Sequence, residues 1–171
     1  MIHVCSLSRL HGVVEETGAA HVVTLIRDVT RVTRPKNILE ENHLILSLDD
    51  IEDELEGMVA PAETHVADLL RFVDGWKREK PIVVHCFAGI SRSTAAAFIT
   101  ACAIQPERSE DEIARAIRAA SVTAQPNPRI VKFGDQLLGR QGRMVEAVRA
   151  IGKGNFGSTW IEEAEPFVIK I

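Results

Sequence analysis

Residues 81–104 leave room for few folds. Pro81-Ile82-Val83-Val84-His85 is a short, β-branched, apolar run of the kind that fills a buried strand. It passes directly into Cys86-Phe87-Ala88-Gly89-Ile90-Ser91-Arg92, after which the alanine-rich stretch Ser93–Ile104 reads as a buried helix. Such a strand, short loop and helix point backbone N–H groups and a helix N-terminus at whatever lies over the loop, which makes the loop an anion cradle.

The rest of the chain alternates in the same way. Ile2–Ser6 reads as a strand and Leu7–Thr17 as a helix stopped by Gly18. His21–Ile26 and His43–Leu48 read as strands separated by a loop, Arg27–Glu41. From Pro61, the residues Val66, Leu69, Leu70, Val73 and Trp76 recur at helical spacing. Ser109 with Glu112 forms a capping-box pattern before a helix to about Ala120, Asn127-Pro128 opens another that ends near Gly139, and Arg143–Ile151 suits one more. This alternation predicts an α/β fold in a single domain, with a mainly parallel central sheet flanked by helices on both faces. The domain is expected to span residues 1–151. Residues 152–171 form a tail in which Phe167–Ile171 is a strand, either completing the sheet edge or lying on a neighbouring subunit.

Bulk properties narrow the function. A chain of 171 residues buries a core without disulfides or metal, and its longest apolar runs, such as Ala95–Ile99, are too short to cross a bilayer. The N-terminus lacks the pattern of a secretory signal, so a soluble protein of the cytoplasm is the default expectation. Three cysteines without a Cys-x-x-Cys pair suit free thiols in a reducing compartment. The net charge of −4, with no dense basic run, argues against a nucleic-acid or membrane partner and makes any anion site a local one. No sequence feature sets an oligomeric state.

In the loop itself, the helix N-terminus and a nearby arginine favour thiolate over thiol at Cys86 and make it nucleophilic. Arg92 offers a planar fork of donors that suits two oxygens of a tetrahedral dianion. Gly89 supplies a residue tolerant of positive φ, without a Cβ to crowd the bound anion. His85-Cys86-x-x-Gly89-x-x-Arg92-Ser93 resembles the active-site signature of the protein tyrosine phosphatase superfamily, in its compact, dual-specificity-like form. The resemblance runs from about His21 to Leu138, since Gln125-Pro126-Asn127-Pro128 and Asp135-Gln136-Leu137-Leu138 also match the segment that follows the signature in dual-specificity phosphatases.

The resemblance implies two-step phosphoryl transfer through a cysteinyl-phosphate, with no cofactor and no metal. Cys86 is then the nucleophile. Phe87, Ala88, Gly89, Ile90, Ser91 and Arg92 bind the phosphate, and Ser93 stabilises the departing thiolate. His85 tunes Cys86 through hydrogen bonds, with a core histidine and a direct acid as the other readings. The proton for the leaving group comes, in the family, from an aspartate on a mobile loop; Leu46-Ser47-Leu48-Asp49-Asp50 fits that pattern and puts Asp50 in the role, with Asp49 and Asp53 as runners-up. Asn127 is expected to brace the active-site loop or cap a helix.

The intervening loop residues carry no positive charge, which favours a phosphorylated protein over a polyphosphorylated lipid, although Arg31 or Arg34 is placed to add charge from the preceding loop. The expected activity is hydrolysis of phosphotyrosine, extending to phosphoserine and phosphothreonine. The alternatives are a phosphoinositide or other small phosphomonoester phosphatase, and a weakly catalytic phosphoprotein-binding pseudophosphatase. A rhodanese-like sulfurtransferase fits poorly with His85, Arg92 and Ser93 in place. Cys102 is expected some 20 Å from Cys86, too far to resolve it after oxidation. Cys5 is expected to be a packed core thiol, with a redox partnership to Cys86 as the competing idea.

Overall fold

The apolar runs form β1 (Ile2–Cys5), β2 (His21–Leu25), β3 (His43–Leu46) and β4 (Ile82–His85) in the computed structural model, which describes residues 1–157 and 162–171. Helices α1 (Leu10–Thr17), α2 (Glu63–Asp74), α3 (Arg92–Ile104), α4 (Glu110–Ala120), α5 (Pro128–Leu137) and α6 (Arg143–Ile151) alternate with and follow them. Two short 3-10 turns, Val29–Arg31 and Glu40–Asn42, interrupt the segment expected to be loop. Helix α1 starts at Leu10 rather than Leu7; residues 7–9 form a turn in which Arg9 N donates to Ser6 O and Leu10 N to Leu7 O, both at 3.3 Å, while Leu7 N donates to the Phe87 carbonyl.

The sheet order is β3-β2-β4-β1-β5. The β2/β3, β2/β4 and β1/β4 pairs are parallel, as expected. The tail supplies β5 (Phe167–Ile169), which pairs antiparallel with β1, Ile2 opposite Ile169 and Val4 opposite Phe167, so in this chain it lies on its own sheet edge. Part of the link before it, residues 158–161, lies outside the described residues.

Side chains alternate across the sheet with the period of two that a strand imposes. Val4, Val23, Ile82 and Val84 enter the larger core with α2, α3 and α5. Cys5, Val22 and Val83 enter a smaller one with Leu10, Val13 and Val14 of α1. Helix α3 is buried on nearly every side, from Ser93 to Cys102, which explains its alanine content: small side chains let sheet and neighbouring helices approach it closely.

Two buried carboxylates fix α6. Glu110 pairs with Arg140 at 3.1 Å and Arg143 at 3.2 Å, while Asp135 accepts from the Gly142 and Met144 amides at 2.6 and 2.9 Å and so satisfies the N-terminal end of the helix. No helix among the described residues is long and apolar enough to cross a membrane.

Candidate active site

Strand β4 is central, and its carboxyl end is where ligands bind in open α/β sheets. Cys86 follows it at once, and Ser91 and Arg92 begin α3, so residues 86–92 are strung between two rigid elements. The carbonyls of this loop are tied outward. Phe87 O accepts from Leu7 N (3.1 Å), Ala88 O from Ala164 N (2.8 Å), Ile90 O from Gln125 N (2.9 Å) and Ser91 O from Ala95 N (3.0 Å). Thr94 Oγ1 reinforces the last two, donating to Ile90 O at 2.6 Å and Ser91 O at 2.8 Å.

The amides behave oppositely. Gly89 N donates to Cys86 Sγ at 3.3 Å, and the N–H groups of Phe87, Ala88, Ile90, Ser91 and Arg92 have no acceptor among the described residues. A run of unpaired amides at a helix N-terminus is a concave anion site.

Gly89 has φ of +75°, as the turn required. A Cβ there would meet the Cys5 carbonyl carbon and the Ser6 amide nitrogen at 2.9 Å, so the end of β1 excludes a side chain at this position.

Cys86 is 1% exposed, and its Sγ lies 3.2 Å from Ser93 Oγ. Arg92 donates from Nη1 to Leu48 O at 3.0 Å. Its Nε is buried without a hydrogen-bond partner, and Asp50 Oδ2, at 3.7 Å, is near enough for charge attraction but too far for a hydrogen bond. A buried, unpartnered guanidinium N–H is costly unless an anion meets it.

The three aspartates occupy different settings. Asp50 Oδ1 accepts from Ser91 Oγ at 2.7 Å and Asn127 Nδ2 at 2.9 Å, leaving Oδ2 toward Arg92. Asp49 is turned into its own loop, accepting from Val59 N at 2.7 Å and pairing with Arg27 at 3.7 Å. Asp53 is exposed. The loop carrying them is pinned by Arg129, which donates to Pro61 O at 2.6 Å and Glu52 O at 3.0 Å. Asn127 both caps α5, through the Arg129 and Ile130 amides at 3.1 Å, and holds Asp50.

His85 is fully buried, and burial pushes it down to about 4, so it is neutral at physiological pH. One hydrogen-bond direction satisfies the whole chain: His43 Nε2–H donates to Thr24 Oγ1 (2.8 Å), Thr24 donates to His85 Nε2 (2.6 Å), and His85 Nδ1–H donates to Cys86 O (3.4 Å). Thr24 escaped notice in the sequence because a threonine in a strand is ordinary. Between pH 6.5 and 4 the unfolded chain binds a proton that native His85 does not, so the contribution of His85 to stability is full above 6.5, falls by up to about 3 kcal/mol on acidification to 4, and then levels. Urea unfolding across that window tests this; the limb flattens in His85→Asn, and an unchanged slope there would assign it to other groups.

Other parts meet the loop from outside. The Arg31 guanidinium stacks at 5.0 Å over the ring of Phe87, which is 48% exposed, whereas Arg34 sits with Glu40 at 3.7 Å. Burial pushes the thiols of Cys5 and Cys102 up to about 12, which keeps both protonated and unreactive at neutral pH. Cys5 packs in the smaller core and Cys86 in the larger, on opposite sides of the sheet. Cys102 stands about 15 Å along α3 from Arg92.

Fold and site together define an anion-cradling α/β protein with a buried cysteine at one end of the cradle and an arginine at the other. A family model described as protein-tyrosine phosphatase matches residues 56–125, which include the whole loop but not Asp50. No curated protein matches the sequence. Among solved structures, the PTP-2 phosphatase of Cydia pomonella superposes with a TM-score of 0.62 at 18% identity, over 79% of this chain and 84% of that one. Human DUSP28 gives 0.61 at 16% identity, over 87% and 94%. PTPMT1 in complex with PI(5)P gives 0.60 at 15% identity, over 88% and 92%. The fold is shared with these phosphatases, and residues 56–125 match the protein-tyrosine phosphatase family model.

Proposed function

We propose that the chain hydrolyses phosphorylated side chains of proteins, phosphotyrosine first and phosphoserine and phosphothreonine as well, through a cysteinyl-phosphate on Cys86. The observation that carries this reading is the set of unpaired donors beside a buried cysteine: the loop amides and Arg92 Nε. They supply what a phosphoryl group needs as charge spreads over its equatorial oxygens.

Cys86 Sγ forms the S–P bond as the ester P–O bond breaks, and the leaving oxygen takes its proton from Asp50 Oδ2. Ser91 and Asn127 occupy Oδ1 and thereby aim Oδ2 at the site. In the second step water attacks phosphorus, Asp50 takes up its proton, and the S–P bond breaks. The sulfur then leaves as a thiolate that Ser93 Oγ and Gly89 N–H receive. His85, neutral and bonded to the Cys86 carbonyl, orients the nucleophile and transfers no proton.

Two measurements test the reading. Asp50→Ala lowers kcat on an ester with a poor leaving group by roughly 10²-fold and removes the basic limb of the pH-rate profile, while aryl phosphates with good leaving groups lose less. A profile unchanged in Asp50→Ala would return the role to Asp49 or Asp53. On one preparation, phosphotyrosine peptides are turned over faster than phosphoserine peptides and phosphoinositides; a large preference for the lipids would reverse the substrate assignment.

A further inference from the structure

We propose that the backbone N–H of Ala164 makes the C-terminal tail a positioning element for Cys86: it holds the Ala88 carbonyl outward and thereby keeps the Gly89 N–H on the sulfur. The proposal rests on the cysteine-phosphatase reading and adds to that site a group from outside the matched residues 56–125. Ala88 O and Gly89 N belong to one peptide unit, which is planar and trans, so its carbonyl and its N–H point in opposite directions. The carbonyl accepts from Ala164 N at 2.8 Å, and the N–H donates to Cys86 Sγ at 3.3 Å. Fixing one end of the peptide fixes the other.

Within the loop, only the contact to sulfur itself favours that orientation. Glycine occupies positive and negative φ about equally readily, so with Gly89 at +75° the peptide before it turns over at little cost unless something outside holds it. The other loop carbonyls are held by Leu7, Gln125, Ala95 and Thr94; among the described residues the tail alone holds that of Ala88. The tail is itself anchored on both sides of Ala164. Glu163 Oε2 accepts from Ser8 Oγ at 2.6 Å, in the turn whose Leu7 N holds the neighbouring Phe87 carbonyl. On the other side Phe167 lies opposite Val4 in the sheet. Ala164 is 3% exposed, so its N–H is shielded from water. A sulfur anion gains most from a donor already aimed at it, because no reorganisation remains when the charge forms, and this is the N–H that receives the sulfur as it leaves phosphorus.

Ala164→Pro removes the N–H, and Ala164→Gly keeps it. Each full-length variant is read by the ultraviolet absorbance of the Cys86 thiolate against pH, with the Cys86→Ser form of the same chain as the blank, and by kcat/KM on an aryl phosphate. The chain contains no tyrosine, and burial pushes Cys5 and Cys102 up to about 12, so neither tyrosinate nor a second thiolate enters the neutral range. In Ala164→Pro the thiolate band appears about one unit higher in pH and kcat/KM falls roughly tenfold, as loss of a hydrogen bond to a charged acceptor implies, whereas Ala164→Gly matches the parent in both. The double variant Ser8→Ala, Glu163→Ala loosens the tail, leaves every backbone N–H in place and moves the band the same way by less. A tail that merely added stability would lower the urea midpoint on substitution and leave the band still. A band unmoved in Ala164→Pro, or moved as far by Ala164→Gly, overturns the proposal; should Ala164→Pro not fold, the double variant decides, and an unmoved band there overturns it equally. If the band moves as expected while the parent leaves the aryl phosphate intact, the role of the tail stands and the phosphatase reading falls.

Discussion

Cys86→Ser abolishes turnover of an aryl phosphate, with a loss of at least about 10⁴-fold, while phosphopeptide binding persists. The substitution exchanges one buried atom for a smaller one of similar hydrogen-bonding capacity. The Ser93 hydroxyl at 3.2 Å and the Gly89 amide at 3.3 Å still have an acceptor, and the loop carbonyls keep their outside donors. What is lost is the nucleophile: a serine hydroxyl has no general base beside it, since the neighbouring histidine faces Thr24 and the Cys86 carbonyl rather than the side chain at 86. Steady-state kinetics and an affinity measurement on the same variant separate the two effects. Residual turnover within about tenfold of the parent would mean that another group attacks phosphorus.

Arg92→Lys lowers kcat/KM by roughly 10² to 10³-fold although charge is conserved. The guanidinium does two things at once: Nη1 is spent on Leu48 O at 3.0 Å, which fixes the plane of the fork, and Nε is left for the substrate. A lysine ammonium is a single point on a flexible stem. It either satisfies the Leu48 carbonyl and misses the phosphate, or reaches the phosphate and leaves that carbonyl bare in a site where the arginine is only 11% exposed. Kinetics on the aryl phosphate checks this, and a loss of threefold or less would show that charge alone matters at 92.

The parts of this site that lie within one strand-loop-helix unit were legible from the chain, because local geometry governs them. Once Ile82–His85 is a strand and Arg92–Ile104 a helix, the loop between them is short enough that Cys86, Gly89 and Arg92 must share one concavity. The parallel sheet was legible for a similar reason, since β-branched runs separated by helical segments have few other solutions. The choice among Asp49, Asp50 and Asp53 was only partly so. The strand pattern ending in Leu48-Asp49-Asp50 ranked Asp50 ahead of its two neighbours, and their settings part company where Asn127 and Ser91, far along the chain, reach back to Asp50 while Val59 and Arg27 take up Asp49.

The tail shows the same division. Its apolar ending was compatible with the sheet edge or with another subunit, and pairing with β1 places it on the former; its approach also brings Ala164 N to the Ala88 carbonyl, a contact that no local pattern announces. Gly89 was identified correctly as a glycine position but for an incomplete reason, because the backbone of β1 that excludes a side chain there is remote in sequence.

By itself, then, the sequence determined the α/β architecture and the constellation of His85, Cys86, Gly89, Arg92 and Ser93, since backbone propensity and short loop length act between neighbours. Tertiary structure alone decided which aspartate faces Arg92, that Thr24 links His43 to His85, and that the tail pairs with β1. Those features depend on hydrogen bonds and packing between residues tens of positions apart, whose meeting is set by the whole core and by no segment within it.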